Sequence, residues 1–445
     1  MVKDDNQLFS ISRLRIISRE GLFLFVSLCL YKVIIEAVYL YRISPLYSYA
    51  LLTTSTNINK MLYSWLLFIL IFAVQPKNPN KPSTYLFLIM TLIMWIPLIS
   101  YYWMNDKDSS YVTCEVLCVI IISFWCRLVR TRMFLIGRSV SYTFFNIIFA
   151  IYVLLTVYLI LKRGGIDLRA LDFRNVYDIR DEYNNLRTID GYLMNWSARA
   201  LFPAMSSYMI LRRKKGPLAL AFLIQIGLYM SYGHKTFLAS TVLMIIVFVL
   251  VSKRKAVRKI ITLFSVGNVA AYFFDVLGIT IALRVFLPYR TLFVPVKNQF
   301  HYFEYFSSHD FLQLSGSTLG RLLFSEYKYD RPIGYIVEAY FRNSGSNGNT
   351  GVFSYGFADF GFVGMLIVAV IIGFLFWLID CTTGKLPLPV KVGAFSYWAV
   401  TMNDNSLLIT LITGGFPIIL LIMMLMNTCS FFGDDKGLDE DFASG

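Results

Sequence analysis

The chain has 445 residues, 57% of them hydrophobic and 15% charged, with a mean hydropathy of +0.61. An average soluble domain has roughly 45–50% and about 25%, so a water-soluble globule is excluded. The net charge of +14 does not point to nucleic acid, because Lys and Arg fall in short clusters between apolar runs, as in membrane topology.

A helix needs about twenty apolar residues to cross roughly 30 Å of hydrocarbon. Candidate spans lie at 20–41, 58–75, 84–103, 111–128, 141–161, 192–211, 217–233, 236–252, 260–280, 360–380, 390–404 and 407–431. The first run is long enough for a retained anchor rather than a cleavable signal peptide. Lys32 and Glu36 within it are four apart, on one helical face, and read as a structural ion pair. In the last two spans Asn403, Asp404 and Asn405 interrupt a continuous apolar stretch. The sequence therefore predicts an all-α polytopic membrane protein, a single integral domain over 1–445 with about twelve transmembrane helices.

Basic residues set the orientation. Arg13, Arg15, Arg19, Lys77, Lys81, Arg127, Arg130, Arg132, Arg138, Arg212 to Lys215, Lys253 to Lys259, Lys385 and Lys391 share one side. Only a few, such as Arg42, Lys60 and Lys107, occupy the short connections opposite. The bias puts both termini in the cytoplasm, with an acidic tail at 433–445. Two outer segments, 162–191 and 282–359, are far longer than a connection needs. The inner connections are short and leave no room for ATP or a nucleotide sugar, so any chemistry is expected outside or within the bilayer.

The two long segments carry Arg163, Arg169, Arg174, Arg180 and Arg187, then Arg284, Arg290, Arg321, Arg331 and Arg342. Guanidinium groups bind phosphate oxygens bidentately, which suits a lipid diphosphate at headgroup height. The alternative is loop solvation and pairing with Asp167, Asp172, Asp178, Asp181 and Glu182. Arg199 lies inside the sixth span. A charge there either lines a cavity or snorkels to the interface. Tyr232-Gly233-His234-Lys235-Thr236 joins two spans at the outer surface, as a plain hairpin or with His234 and Lys235 facing the arginines.

His234, His301 and His309 lack nearby ligand partners, which makes a zinc site a poor reading. Asp106 and Asp108 in a short turn are better explained by solvation. Cys29, Cys114, Cys118, Cys126, Cys381 and Cys429 lie in or beside apolar runs, as small buried hydrophobes do, rather than in a disulfide framework. Phosphate-loop, dinucleotide and nucleophile-elbow motifs are missing from the sequence.

Four patches in order resemble the O-antigen polymerases of Gram-negative bacteria, the Wzy-type oligosaccharide repeat-unit polymerases. They are Val176 to Arg180 with Tyr192, Asn195, Trp196 and Pro203; Gly233 to Thr236; Arg290 with Pro295, Tyr302 and Phe306; and Asn349 to Gly351 with Gly356, Phe360, Gly361 and Gly364. The family's Arg-x10-Gly spacing is met by Arg180 and Gly191, but by no arginine of the second segment. The resemblance implies a GT-C-like helical glycosyltransferase in the bacterial inner membrane. A growing glycan on undecaprenyl diphosphate would pass to a repeat unit on the same lipid, with no metal or other cofactor. It implies the lipid-linked oligosaccharide donor and acceptor, membrane lipid and a chain-length regulator protein as partners.

On that reading Arg180, Arg290 and Lys235 serve the diphosphate with Arg199 in support, while Arg174, Tyr302 and Asn349 bind substrate. Asp178 and His234 stand as alternative general bases. Rival readings are a flippase for the same lipid-linked sugar, the O-antigen ligase and an export-complex scaffold.

Overall fold

The computed structural model describes residues 19–129, 138–172, 179, 188–317, 320, 326–342, 345–384 and 386–428. Among these the regular structure is all helical, apart from one isolated bridge between Ser55 and Asn105. The principal helices are α1 Arg19–Val38, α2 Ile58–Val74, α3 Pro82–Met90, α4 Ile96–Met104, α5 Ser109–Arg127 and α6 Arg138–Lys162. Then come α7 Thr188–Trp196, α8 Phe202–Leu211, α9 Lys215–Tyr232, α10 Lys235–Val251, α11 Ala256–Val276 and α12 Val294–Phe306. The last are α13 Ile333–Arg342, α14 Val352–Thr382, α15 Leu388–Thr401, α16 Leu407–Ile412 and α17 Phe416–Thr428.

Among the described residues seven helical stretches are long and apolar enough to cross a membrane, and α2 and α10 are shorter apolar helices. The protein is accordingly a helical polytopic membrane protein. Pro82–Met104 is buried along its whole length, which makes it the centre of the bundle. Thr143–Lys162, by contrast, leaves Leu154 and Leu161 exposed, as expected where lipid is the solvent.

Polar contacts sort into two groups at opposite helix ends. At one end Arg42 and Arg284 pair with Asp275, Lys60 with Asp106, Lys107 with Glu304 and Lys297 with Glu338. At the other, Arg258 pairs with Glu20, Lys81 with Asp380, and Arg127 donates to the Val74 carbonyl. Helices α1, α2, α5 and α11 each have one terminus in each group, so all four run between the same two surfaces.

Lys32 and Glu36 form the expected pair, fully enclosed, with the Trp103 indole donating to Glu36. Asp108 caps α5 at the Ser110 amide.

Asp380 accepts from the backbone amide and hydroxyl of Ser83, at 3.1 and 2.7 Å, so it also sits at the positive end of α3. Lys81 lies 3.7 Å from it and is nearly as buried. Asp380→Ala removes the acceptor of both Ser83 bonds, while Lys81 keeps its bonds to the Cys126 and Leu128 carbonyls, so the cost belongs with lost hydrogen bonds to a charged group, about 1.5–3 kcal/mol. The variant should melt well below wild type in detergent, with Asp380→Asn in between; equal melting of all three would contradict this.

Four helices contain a turn closed by a hydrogen bond between residues five apart: Tyr39–Ile43, Thr91–Trp95, Ser197–Leu201 and Val285–Phe293. In each, proline follows two residues after the turn: Pro45, Pro97, Pro203 and Pro295. Proline has no amide hydrogen, and its ring crowds the carbonyl four residues back. Widening the turn relieves that clash and frees carbonyls for other partners.

The described residues of 282–359 include α12, α13 and the first limb of α14. Pro295 to Tyr302 are all buried where α12 packs on α14. α14 begins at Val352, earlier than the expected span, but breaks at Phe360 and Gly361, where Gly361 takes φ +62°. The span expected from 360 is thus the second limb of this helix.

Candidate functional site

The turn Ser197–Leu201 links α7 to α8 and carries Arg199. Its Nη2 donates to the Thr236 hydroxyl at 2.7 Å, and the guanidinium lies 5.8 Å from the Phe237 ring and 5.9 Å from the Tyr397 ring. Nε is buried with no hydrogen-bond partner among the described residues. The guanidinium is thus held between α10 and α15.

Thr236 belongs to the hairpin joining α9 and α10. Gly233 makes that hairpin possible, because its φ of +68° is a backbone state that side chains disfavour. His234 precedes the first turn of α10 and lies against Phe237, ring centroids 5.2 Å apart, and Lys235 follows as the first residue of the helix. Gln225 donates to the carbonyls of both Ala198 and Phe237, which fixes the hairpin to the Arg199 turn.

The start of the first long segment is fastened to the same hairpin. Arg163 donates to the Ser231 carbonyl and to Ile179, Tyr229 to Ala170, and Ser231 to Gly165. Arg174, Asp178 and Arg180 lie outside the described residues.

Between α15 and α16 stands the turn 402–406. The Asn403 amide donates to Ile93 at 3.3 Å and to Thr291 at 2.9 Å. These are the carbonyls four residues before Pro97 and Pro295, so one side chain satisfies both. The Met402 carbonyl accepts from Val352, and Trp398 donates to Thr410. Three proline-linked turns thus converge here, two through Asn403 and the third through the field of Arg199 on Asp404.

Asp404 follows Asn403. Its surface is exposed, yet protein surrounds it closely, which describes a carboxylate in a recess. Asn405 donates to one of its oxygens at 2.7 Å. Burial pushes its pKa up to about 6, against the opposing charge of Arg199 and the Asn405 bond. Tyr397 and Tyr355 also lie within its electrostatic reach.

The expected substrate residue Tyr302 lies on α12, packed against α14. It is wholly buried, with its hydroxyl 3.4 Å from that of Tyr355. Asn349 is exposed, and its carbonyl accepts from Asn298 at 2.7 Å.

Arg290 belongs to a separate cluster. It is exposed beside Tyr289, which stacks on Tyr47 at 3.8 Å. Arg284 lies 5.5 Å over Tyr47, and Arg342 lies 5.7 Å over Tyr49. Under this surface burial, and then the charges of Lys297 and Lys107, hold His301 well below its usual range, so it is neutral. The structure thus brings Arg199, His234 and Lys235 to one hairpin and leaves Arg290 in a second basic patch, joined to the first through Thr291 and Asn403.

Asp404, Asn403 and Tyr355 are the site residues that sequence reasoning did not single out. Their signal was the polar interruption 403–405 in an apolar stretch, since such residues in membrane segments line cavities or pathways. Among the described residues no group of three or more His, Cys, Asp or Glu could hold a metal ion. Comparison with known proteins returns no match: no family model, curated protein or solved structure is significantly similar to the chain.

Proposed function

We propose that the protein is a Wzy-type O-antigen polymerase of the bacterial inner membrane. It transfers a growing glycan from undecaprenyl diphosphate to a lipid-linked repeat unit at the outer leaflet. One observation carries the reading: Arg199, a permanent cation inside a membrane-protein helix bundle, has an Nε with no partner among the described residues, at a recess next to His234 and Lys235. A departing diphosphate gains negative charge, and fixed cations at that place lower the barrier.

The reading takes the apolar helices as about twelve crossings, with the Arg42, Asp275 and Arg284 surface outside. Arg290 and its neighbours then form a second cationic surface on the same side, suited to the other lipid diphosphate. The packed character of 282–359 favours an enzyme over a flippase, whose charges belong at mid-membrane.

Deleting the gene from its own strain tests this. The expected result is surface glycan capped by a single repeat unit. Loss of all repeats would instead indicate the flippase or the ligase.

A further inference from the structure

Asp404 has features that a solvated loop carboxylate does not need. Its neighbours on both sides are fixed: Asn403 spans two freed carbonyls, and Asn405 donates to Thr401 as well as to Asp404. Ser406 caps α16. The turn is locked, and the Asp404 carboxylate it holds is exposed at its surface with Asn405 on one oxygen. The charged and titratable groups around it come from three elements: Arg199 from the Ser197–Leu201 turn, Tyr397 from α15, and Tyr355 from α14 with Asp359 beyond it. Arg199 and Asp404 do not close into an ion pair, so cation and carboxylate are both available to a third group between them.

We propose that Asp404 is the general base that takes the proton from the acceptor hydroxyl as it attacks the donor sugar. This rests on the polymerase reading. The carboxylate accepts the hydroxyl proton, and the hydroxyl oxygen forms a bond to the anomeric carbon. The bond from that carbon to the diphosphate oxygen breaks, and its electron pair leaves with the lipid diphosphate, which Arg199 receives. The proton then passes from Asp404 to water. A single displacement of this kind inverts the anomeric centre. His234 is less suited to the role, because its ring lies against Phe237 at the hairpin.

The pKa near 6 suits this work, since the carboxylate is charged at neutral pH yet more basic than a free aspartate. Below about 6 it is protonated, and the rate should fall with pH.

The test uses the full-length protein in lipid nanodiscs with lipid-linked repeat units, comparing wild type, Asp404→Asn and Asp404→Glu. The Asn variant should lose about 10²- to 10⁴-fold in kcat, with unchanged melting and unchanged binding of undecaprenyl diphosphate. The Glu variant should recover part of the rate. The acid limb of the wild-type pH profile should be missing from the residual activity of the Asn variant. Polymerisation at the wild-type rate by Asp404→Asn would overturn the proposal, as would a loss of lipid binding or melting temperature in step with the rate. Should wild type itself form no polymer, the polymerase reading fails, a result distinct from an active Asn variant.

Discussion

Arg199→Gln is expected to cut glycan polymerisation by about 10²- to 10³-fold, the scale seen when one preorganised donor to a developing anion is removed. Glutamine keeps an uncharged polar group at the position, two atoms shorter and out of reach of Thr236, and buries no charge, so the bundle should survive. What disappears is the fixed charge next to the leaving group. Affinity for undecaprenyl diphosphate should fall in parallel. Arg199→Lys should restore a part only, because an ammonium does not reproduce the planar fork of a guanidinium. If Arg199→Gln folded and polymerised normally, the recess would not be where the diphosphate departs.

The largest expected structural effect is at Gly364. Phe360 and Gly361 break α14 so sharply that Gly356 and Gly364 touch backbone to backbone. A Cβ on Gly364 would lie 1.9 Å from the Gly356 carbonyl oxygen, and one on Gly356 would lie 2.9 Å from that of Gly364. Neither neighbour is a side chain able to swing away. Overpacking a core typically costs about 1–3 kcal/mol, and a clash with backbone belongs at or above the top of that range. Gly364→Ala should therefore give little monodisperse protein and a clearly lowered melting temperature. Gly384→Ala is the matched control, because nothing lies within 4 Å of its Cβ position. Similar behaviour of the two variants would mean that the helix break is not held by this contact.

Much of the architecture was legible in the sequence because lipid leaves only helices as spanning elements in a chain of this composition. Apolar runs read as helices, and the Lys32–Glu36 pair was expected from its spacing. Hydropathy does not distinguish a helix facing lipid from one enclosed by other helices. The central position of Pro82–Met104 was therefore out of reach, although Thr143–Lys162 reads much the same in sequence.

The proline-linked turns had a signal that needed tertiary context. Pro97 and Pro295 each free a carbonyl, but nothing local says that one asparagine, more than a hundred residues beyond Pro295, will bond both. Arg199 was visible as a charge out of place, and the structure supplied its partner Thr236. Asp404 was visible only as an interruption. Arg290 was expected alongside Arg180 and Lys235, yet its place is decided by the packing of Tyr289 on Tyr47, a contact between distant segments.

The most direct measurement follows bond formation itself. Purified protein in nanodiscs would be given lipid-linked repeat units, and chain length and free lipid diphosphate counted together. The account predicts a ladder of lengthening glycans, with one undecaprenyl diphosphate released for every glycosidic bond made. Repeat units that stay single while the protein is folded and binds them would contradict it.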